Sequence, residues 1–382
     1  LSSFEDFRTQ LLSQHLIKCL AHLDNGVMRI AFGTSATVFQ KSHAGTASAE
    51  YCYVTLADCD EQGVPKIFPV PGPRLKSAKQ TDFAKIPGSP VAYWVGENAL
   101  RCFREGSPLG KIAAVAHGMS TGNNSIYVRS WFEINFETLN RDCQSQSDSL
   151  KSEATWYPYN KGGAYRKWFG NANNVVRYYK SGQLLLSASQ CGENTGFRHD
   201  GKAYYFKRGI SWTFVSSGGF GVRISDGGFV FDVAGSSLIP SEADLGVLGA
   251  FLCSKLSTML LAMLNPTINF QVGNVASLPF LDKALEIRRN PILGISSNAI
   301  AIVRCDWNSF ENSWDFPGHP LLSQGRWSTQ PNGRLRLPNA PDAENPNSID
   351  LSVQWPALKG VTLAESYTAW RSFAEQQTAE LK

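Results

Sequence analysis

The sequence has no Cys-x-x-Cys pair and no cluster of cysteine and histidine at zinc-ligand spacing, although it holds eight cysteines. A structural zinc site needs four such donors, and a secreted disulfide scaffold is short and cysteine-dense. Scattered thiols therefore fit a reduced, cytoplasmic setting. Neither a Walker phosphate loop nor an HExxH signature is present, which removes P-loop hydrolysis and zincin chemistry. No nuclease-like group of Asp, Glu and Lys stands out, and His117 and His319 read as solvated or locally hydrogen-bonded residues. The sequence also shows no signal peptide, low-complexity tract or internal repeat. The most apolar window, Leu245 to Leu264, is cut by Lys255 and several serines, which predicts a buried helix and no membrane span.

What is there suffices for packed cores: 43% of the 382 residues are hydrophobic and 12% aromatic. A chain of that length is expected to split into two or three domains. A net charge of +4 is too mild to name a polyanionic partner, so the placement of the charges has to decide.

The opening segment "LSSFEDFRTQLLSQHLIKCLAHL" predicts a helix. Ser2 or Ser3 is its cap, Glu5 and Asp6 lie in its first turn, and Phe4, Phe7, Leu11, Leu12 and Ile17 fall at roughly helical spacing. "VMRIAFGTSATVFQK" then predicts two strands joined at Gly33-Thr34-Ser35, as at the end of an α/β sheet. Pro, Gly, Asp and Lys dominate from Glu50 to Pro90, a connector with one strand at Tyr51 to Leu56. A helix over "YWVGENALRCFREG" ends at Gly106. Strand-like runs follow, including "RYYKSGQLLL", "KAYYFKRGISWTFVSS" and "GVRISDGGFVFDVAGSS", with a polar loop from Ser120 to Ser125. Beyond Phe280 the pattern is mainly helical, with a Pro/Asn-rich stretch from Pro331 to Pro346 and a last helix in "TLAESYTAWRSFAEQQTAELK". The expected class is α+β. The chain, which stops without a closing element, is expected to be a piece of a longer polypeptide.

Chemistry concentrates between Lys151 and Val215. Lys151, Lys161, Arg166, Lys167, Arg177, Lys180, Arg198, Lys202, Lys207 and Arg208 face only Glu153, Glu193 and Asp200. The same segment holds "TWYPYNKGGAYRKWFGN", where Trp156, Tyr157, Tyr159, Tyr165, Trp168 and Phe169 are interleaved with cations. Cations suit phosphates, and aromatic faces stack on extruded bases for roughly 1–3 kcal/mol each. Asn160, Asn171, Asn173 and Asn174 carry amides of the kind that read adenine edges. Gly162-Gly163 suits a loop that approaches a duplex closely. A β-rich core with basic loops explains the same composition equally well. Asn265-Pro266-Thr267-Ile268 shares only its first two residues with the loop that holds a flipped base, and reads as a helix-ending turn. Phe231 to Gly235 reads as a strand and turn.

Seven runs together carry a resemblance: "GSPVAYWVGENALRCF", "GMSTGNNSIYVRSWFEI", "WYPYNKGGAYRKWFGN", "YYFKRGISWTFVSSGGFGVR", "FVFDVAGSS", "LNPTINFQVGN" and "DWNSFENSWDFPGHPLL". Their order from Phe32 to Leu322 resembles the adenine-specific DNA methyltransferases of BREX phage-defence systems, which are related to type IIG restriction-modification enzymes. "RIAFGTSATVFQK" looks like the last strand pair of their methyltransferase domain. The frame from "LGKIAAVAHGMSTGNN" to "GNVASLPF" is similar to the recognition domains of type I specificity subunits.

The resemblance implies four parts: the end of an α/β methyltransferase domain over 1–56, a connector over 57–108, a β-rich target recognition domain over 109–280, and a helical region over 281–382. It further implies that S-adenosyl-L-methionine is bound by the parent methyltransferase domain and not by this chain, since the cofactor and Asn-Pro-Pro-Tyr motifs are missing here. No catalytic or metal-ligating residue is assigned. The implied partner is double-stranded DNA, with other phage-defence proteins as further partners. Lys161, Arg166, Lys167, Arg177, Lys180, Lys207 and Arg208 are the expected phosphate contacts. Thr121, Asn123, Asn124, Asn160, Trp168 and Arg223 are expected to contact the groove or order its loops. An interaction scaffold and a carbohydrate-binding module are the competing readings.

Overall fold

The computed structural model describes residues 4–42 and 47–316, with isolated positions between 364 and 379. The chain forms two compact units. One comprises Leu1–Pro108, Met259–Pro266 and Ser277–Leu281; the other comprises Leu109–Thr258, Thr267–Ala276 and Asp282–Lys382.

In the first unit, α1 (Glu5–Gln14) carries Glu5 and Asp6 in its first turn, where the helix dipole favours acids. Ser2 and Ser3 lie outside the described residues. The helix ends earlier than its apolar spacing predicts, because Leu16–Leu23 is strand β1. The buried Gln80 side chain explains the break. Its Nε2 donates to the carbonyls of Leu12 and His15 at 2.5 and 2.7 Å, and its Oε1 accepts the Ile17 N–H at 2.9 Å. Carbonyls freed at the helix end and the Ile17 amide at the start of β1 are thereby satisfied together.

Strand β1 pairs antiparallel with β2 (Thr34–Gln40) and parallel with β3 (Ser48–Val54), which pairs with β4 (Leu75–Lys79). The sheet order is β2-β1-β3-β4. The first strand expected in "VMRIAF" is instead a 3-10 turn at Val27–Arg29, with Met28 and Arg29 at positive φ. Residues expected as a connector hold β4, α2 (Gln80–Phe83) and α3 (Glu97–Glu105), before β5 (Ser107–Pro108) pairs with Pro279–Phe280. Ile17, Ala49, Tyr51, Phe83 and Tyr93 form the core, with Tyr51 stacked on Tyr93 at 4.7 Å.

The second unit opens with α4 (Leu109–Ile112), β6 (Ala114–Ala116), β7 (Ser120–Thr121), α5 (Asn124–Tyr127) and β8 (Val128–Ser130). It continues through α6 (Gln146–Lys151), β9 (Trp156–Asn160), β10 (Asn174–Arg177), α7 (Tyr179–Gln190) and β11 (Phe197–Arg198). Next come β12 (Gly209–Trp212), β13 (Val222–Ser225), β14 (Val230–Phe231), β15 (Ser237–Ile239) and α8 (Glu242–Cys253). The expected apolar helix over 245–264 is broken at Ser254, so α9 (Lys255–Leu264) starts afresh. Then follow α10 (Val272–Ala276), β16 (Pro279–Phe280) of the first unit, α11 (Asp282–Leu285) and α12 (Arg289–Asn308). "RYYKSGQLLL" is not a strand after Arg177. The segment Tyr179–Gln190 lacks β-branched residues and is rich in Leu, Gln and Ser, so it coils into α7, with Lys180, Ser181 and Gly182 at positive φ near its start.

Two four-stranded sheets organise this unit, ordered β14-β9-β10-β8 and β13-β12-β15-β6. The first is built around Tyr157, Tyr159, Tyr178, Tyr205, Phe206 and Phe231. In the second, Ile210, Trp212, Val222, Ile224 and Leu238 alternate with Ser211, Arg223, Ser225 and Ser237, so one face is apolar and the other polar, and both are buried. The expected α+β class holds. No single helix among the described residues is long and apolar enough to cross a membrane. His319, the stretch from Pro331 to Pro346 and most of the last expected helix lie outside the described residues.

Candidate nucleic-acid interface

Strand β9 and the loop after it are the segment that the sequence singles out. Period-2 alternation sends Tyr157 and Tyr159 inward, where both are fully buried. Tyr159 Oη donates to Asp232 Oδ2 at 2.6 Å, Lys161 Nζ donates to the same oxygen at 2.9 Å, and Asp232 Oδ1 accepts the Ala234 N–H at 2.7 Å. Burial first, then the adjoining Asp232 carboxylate, holds the Tyr159 phenol well above the usual tyrosine value. Asp232 thus fixes the end of β14, the ring of Tyr159 and the start of the loop at once. Asn160 ties the two sheets together through Nδ2 to Ser225 Oγ at 2.6 Å.

Gly162 follows at φ +89, where a side chain would meet the Ala234 carbonyl at 2.6 Å. Only glycine allows that approach. The loop then runs along the free edge of β13: the Trp168 N–H donates to Val222 O at 2.7 Å, and Trp168 O accepts the Ile224 N–H at 2.8 Å. Trp168, at φ +70, is half-buried and covers an edge otherwise open to pairing.

The cations of the loop turn toward the protein. Arg166 pairs with Asp306 at 2.5 Å and lies 5.1 Å over the Trp307 ring, while Lys167 Nζ donates to Cys253 O at the end of α8 at 2.6 Å. Arg304 lies 4.2 Å over Phe169 and pairs with Asp226 at 2.9 Å. The motif therefore docks helix α12 and the end of α8, and Tyr157, Tyr159 and Phe169 are core residues. This corrects the picture of an open surface of rings: of the aromatics in the motif, Tyr165 is exposed and Trp156 and Trp168 are half-buried. The acids that draw the cations inward, Asp226, Asp232 and Asp306, lie far along the chain.

The remaining expected site residues fall in several places. Lys180 pairs with Glu153, and Arg208 pairs with Glu242 at 2.9 Å. Arg177, at the end of β10, and Lys207 are exposed and have no acidic partner among the described residues; Lys207 Nζ lies 5.7 Å over the Tyr204 ring. Thr121 is buried and donates to Asn124 Oδ1 at 2.7 Å, and its carbonyl accepts from Asn194 Nδ2 at 2.8 Å. Asn123 and Asn124 are exposed on that braced loop, with Asn123 Oδ1 accepting from Ser125 Oγ. Arg223 is buried on β13. Asp232, Asp226, Arg304 and Asp306 were not among the expected residues. For Asp232 a signal existed, since an Asp before a small-residue turn caps it, and its side chain accepts from Ala234 as the cap of the 3-10 turn.

No group of His, Cys, Asp and Glu among the described residues is placed to hold a metal. Near His199, burial first, then Lys202, lowers the imidazole value to about 4, with Tyr178 Oη 2.5 Å from Nε2. The Phe231–Gly235 turn does not fit S-adenosyl-L-methionine. The Asp232 carboxylate is spent on Tyr159, Lys161 and the Ala234 amide, and an atom added at Gly235 would lie 2.1 Å from Asn160 O, leaving no open cradle.

No family model matches the chain. It is 36% identical over 342 residues to the adenine-specific methyltransferase PglX of Lacticaseibacillus casei (strain Zhang), a match covering 85% of the chain and 27% of that protein. It is 31% identical over 331 residues to the adenine-specific methyltransferase BrxX of Escherichia coli O9:H4 (strain HS), covering 84% and 25%. Among solved structures, it matches the type IIL restriction-modification enzyme MmeI in complex with DNA at 12% identity and a TM-score of 0.42, over 82% of the chain and 42% of MmeI. The chain is a homologue of the PglX and BrxX adenine-specific methyltransferases, and it spans about a quarter of their length.

Proposed function

We propose that the chain recognises double-stranded DNA within an S-adenosyl-L-methionine-dependent N6-adenine methyltransferase of a BREX-type phage-defence system. Residues 109–280 act as the target recognition domain, and methyl transfer belongs to residues outside this chain. The carrying observation is the homology, over 84–85% of the chain, to two proteins named as adenine-specific methyltransferases. An adenine amino group is reached only after the base leaves the stack, so such an enzyme needs a surface that grips the flanking duplex and offsets the distortion. Arg177 and Lys207 suit phosphate contact, because they are exposed and no acid among the described residues competes for them.

Charge reversal at these two positions tests the reading. Arg177→Glu with Lys207→Glu is expected to weaken duplex binding for all sequences and to reduce the slope of log affinity against log salt by about 0.9 per lost phosphate contact. Thermal unfolding should stay within about 0.5 kcal/mol of wild type, as for surface sites generally. Unchanged affinity would remove both residues from the interface. The same reversal at Arg166 is a poorer test, since it breaks the Asp306 pair and the contact with Trp307.

A further inference from the structure

The sheet of the first unit, β2-β1-β3-β4, ends in two edges of different kind. On one side β4 is five residues long and carries exposed Lys76 and Lys79, and lysines on an edge keep it from pairing with another strand. On the other side β2 has no such protection. Its seven residues, "TSATVFQ", include no charge and no proline, and Thr34, Thr37, Val38 and Phe39 are of the β-branched and aromatic types that favour strands. Among the described residues β2 pairs with β1 alone, so the backbone donors and acceptors of its other side meet no strand there.

Both faces of β2 are open as well. Val38 and Phe39 are neighbours in sequence and so lie on opposite faces, yet they are 56% and 42% exposed. Phe32, just before the strand, is also exposed. The ring of His15, the residue that ends α1, stands edge-on to Phe39 with centroids 6.5 Å apart, and α1 itself buries none of its residues. Strands β1 and β3 are parallel, and parallel strands ordinarily belong to sheets covered on both faces. An uncharged edge with an apolar residue on each face is a template for pairing and a poor boundary with water. The chain spans about a quarter of the length of PglX and BrxX, so about three quarters of such a polypeptide can supply the partner.

We propose that the free edge of β2 is completed by strand addition, from a segment of the same polypeptide that lies outside residues 1–382. The occupant is an extended stretch of low charge with an apolar side chain on each face, one set against Val38 and the other against Phe39. Pairing within one polypeptide explains why β2 lacks the safeguards of β4, because such an edge is never offered to another molecule. Strand β2 is then an interior strand of a sheet that continues into the rest of the protein. This inference goes beyond DNA recognition and does not rest on it.

The test uses the full-length protein without DNA. Hydrogen exchange is followed amide by amide over residues 34–40 of the wild type, and p-benzoylphenylalanine is placed at Val38 and, separately, at Phe39 for photo-crosslinking. An interior strand protects consecutive amides, whereas an open edge protects only the alternate ones that face its single neighbour. Expected are slow exchange at consecutive β2 amides and a crosslink within one polypeptide that maps to a residue outside 1–382. Fast exchange at alternate amides would leave the edge open and overturn the proposal. A crosslink at dimer mass would give the edge to a second copy, and one confined to residues 1–382 would give it to this chain; either overturns the proposal, as does the lack of a crosslink from both positions. If neither crosslinking variant folds, the wild-type exchange pattern decides. Failure to bind duplex would sink the proposed function and leave this inference standing.

Discussion

The two four-stranded sheets of the second unit solve the burial of polar groups in opposite ways. In β14-β9-β10-β8 the polar atoms sit at the tips of large rings, and the buried carboxylate of Asp232 has three donors around it. In β13-β12-β15-β6 one face is small and hydroxylated, and a guanidinium is enclosed there with a single partner. The first arrangement reads as structural, because its buried carboxylate is answered inside the protein. The second leaves an enclosed guanidinium with one hydrogen bond and no acid beside it among the described residues.

That contrast breaks most visibly if the tyrosine sheet tolerates truncation. Tyr157→Ala removes a fully buried ring between Tyr178 and Phe206 and is expected to cost about 3–5 kcal/mol in denaturant unfolding, the range for large aromatic deletions. A loss below about 1 kcal/mol would mean the ring is not core. Asp232→Ala is next: it strands the Lys161 ammonium, the Tyr159 hydroxyl and the Ala234 amide, and should cost about 3 kcal/mol, near the low end for breaking a buried pair. Arg223→Met should differ in sign or be close to zero, and equal losses at the two positions would erase the distinction between the sheets.

The smallest effect is in pH. His199 has a folded-state value of about 4, below its ordinary 6.5, because burial disfavours the cation. As pH falls, the unfolded chain takes up the proton first, so stability is intact above about 6.5 and declines between about 6.5 and 4. His199→Phe should flatten that part of a curve of melting temperature against pH. An unaltered curve would show that other groups set the acid response.

Much of the strand content was legible in the sequence, since β9, β12 and β13 alternate or run apolar between turn residues. Homology to the adenine-specific methyltransferases was legible too, because several long runs occur in one order. The direction of the motif's side chains was not. Lys161 and Asp232 are 71 residues apart, and Arg166 and Asp306 are 140 apart, so local periodicity carries no trace of either pair. The early end of α1 depends on Gln80, more than 60 residues away. A local basic excess therefore overstated how much cationic surface the segment exposes, and Arg223, expected at the groove or its loops, is enclosed on β13 with no acidic partner among the described residues.

Duplex recognition is tested by titrating the full-length protein with labelled duplex over a series of salt concentrations. Log affinity should fall linearly with log salt, with a slope of about 0.9 for each phosphate neutralised. Absence of duplex binding at low salt, or an affinity indifferent to salt, would contradict it.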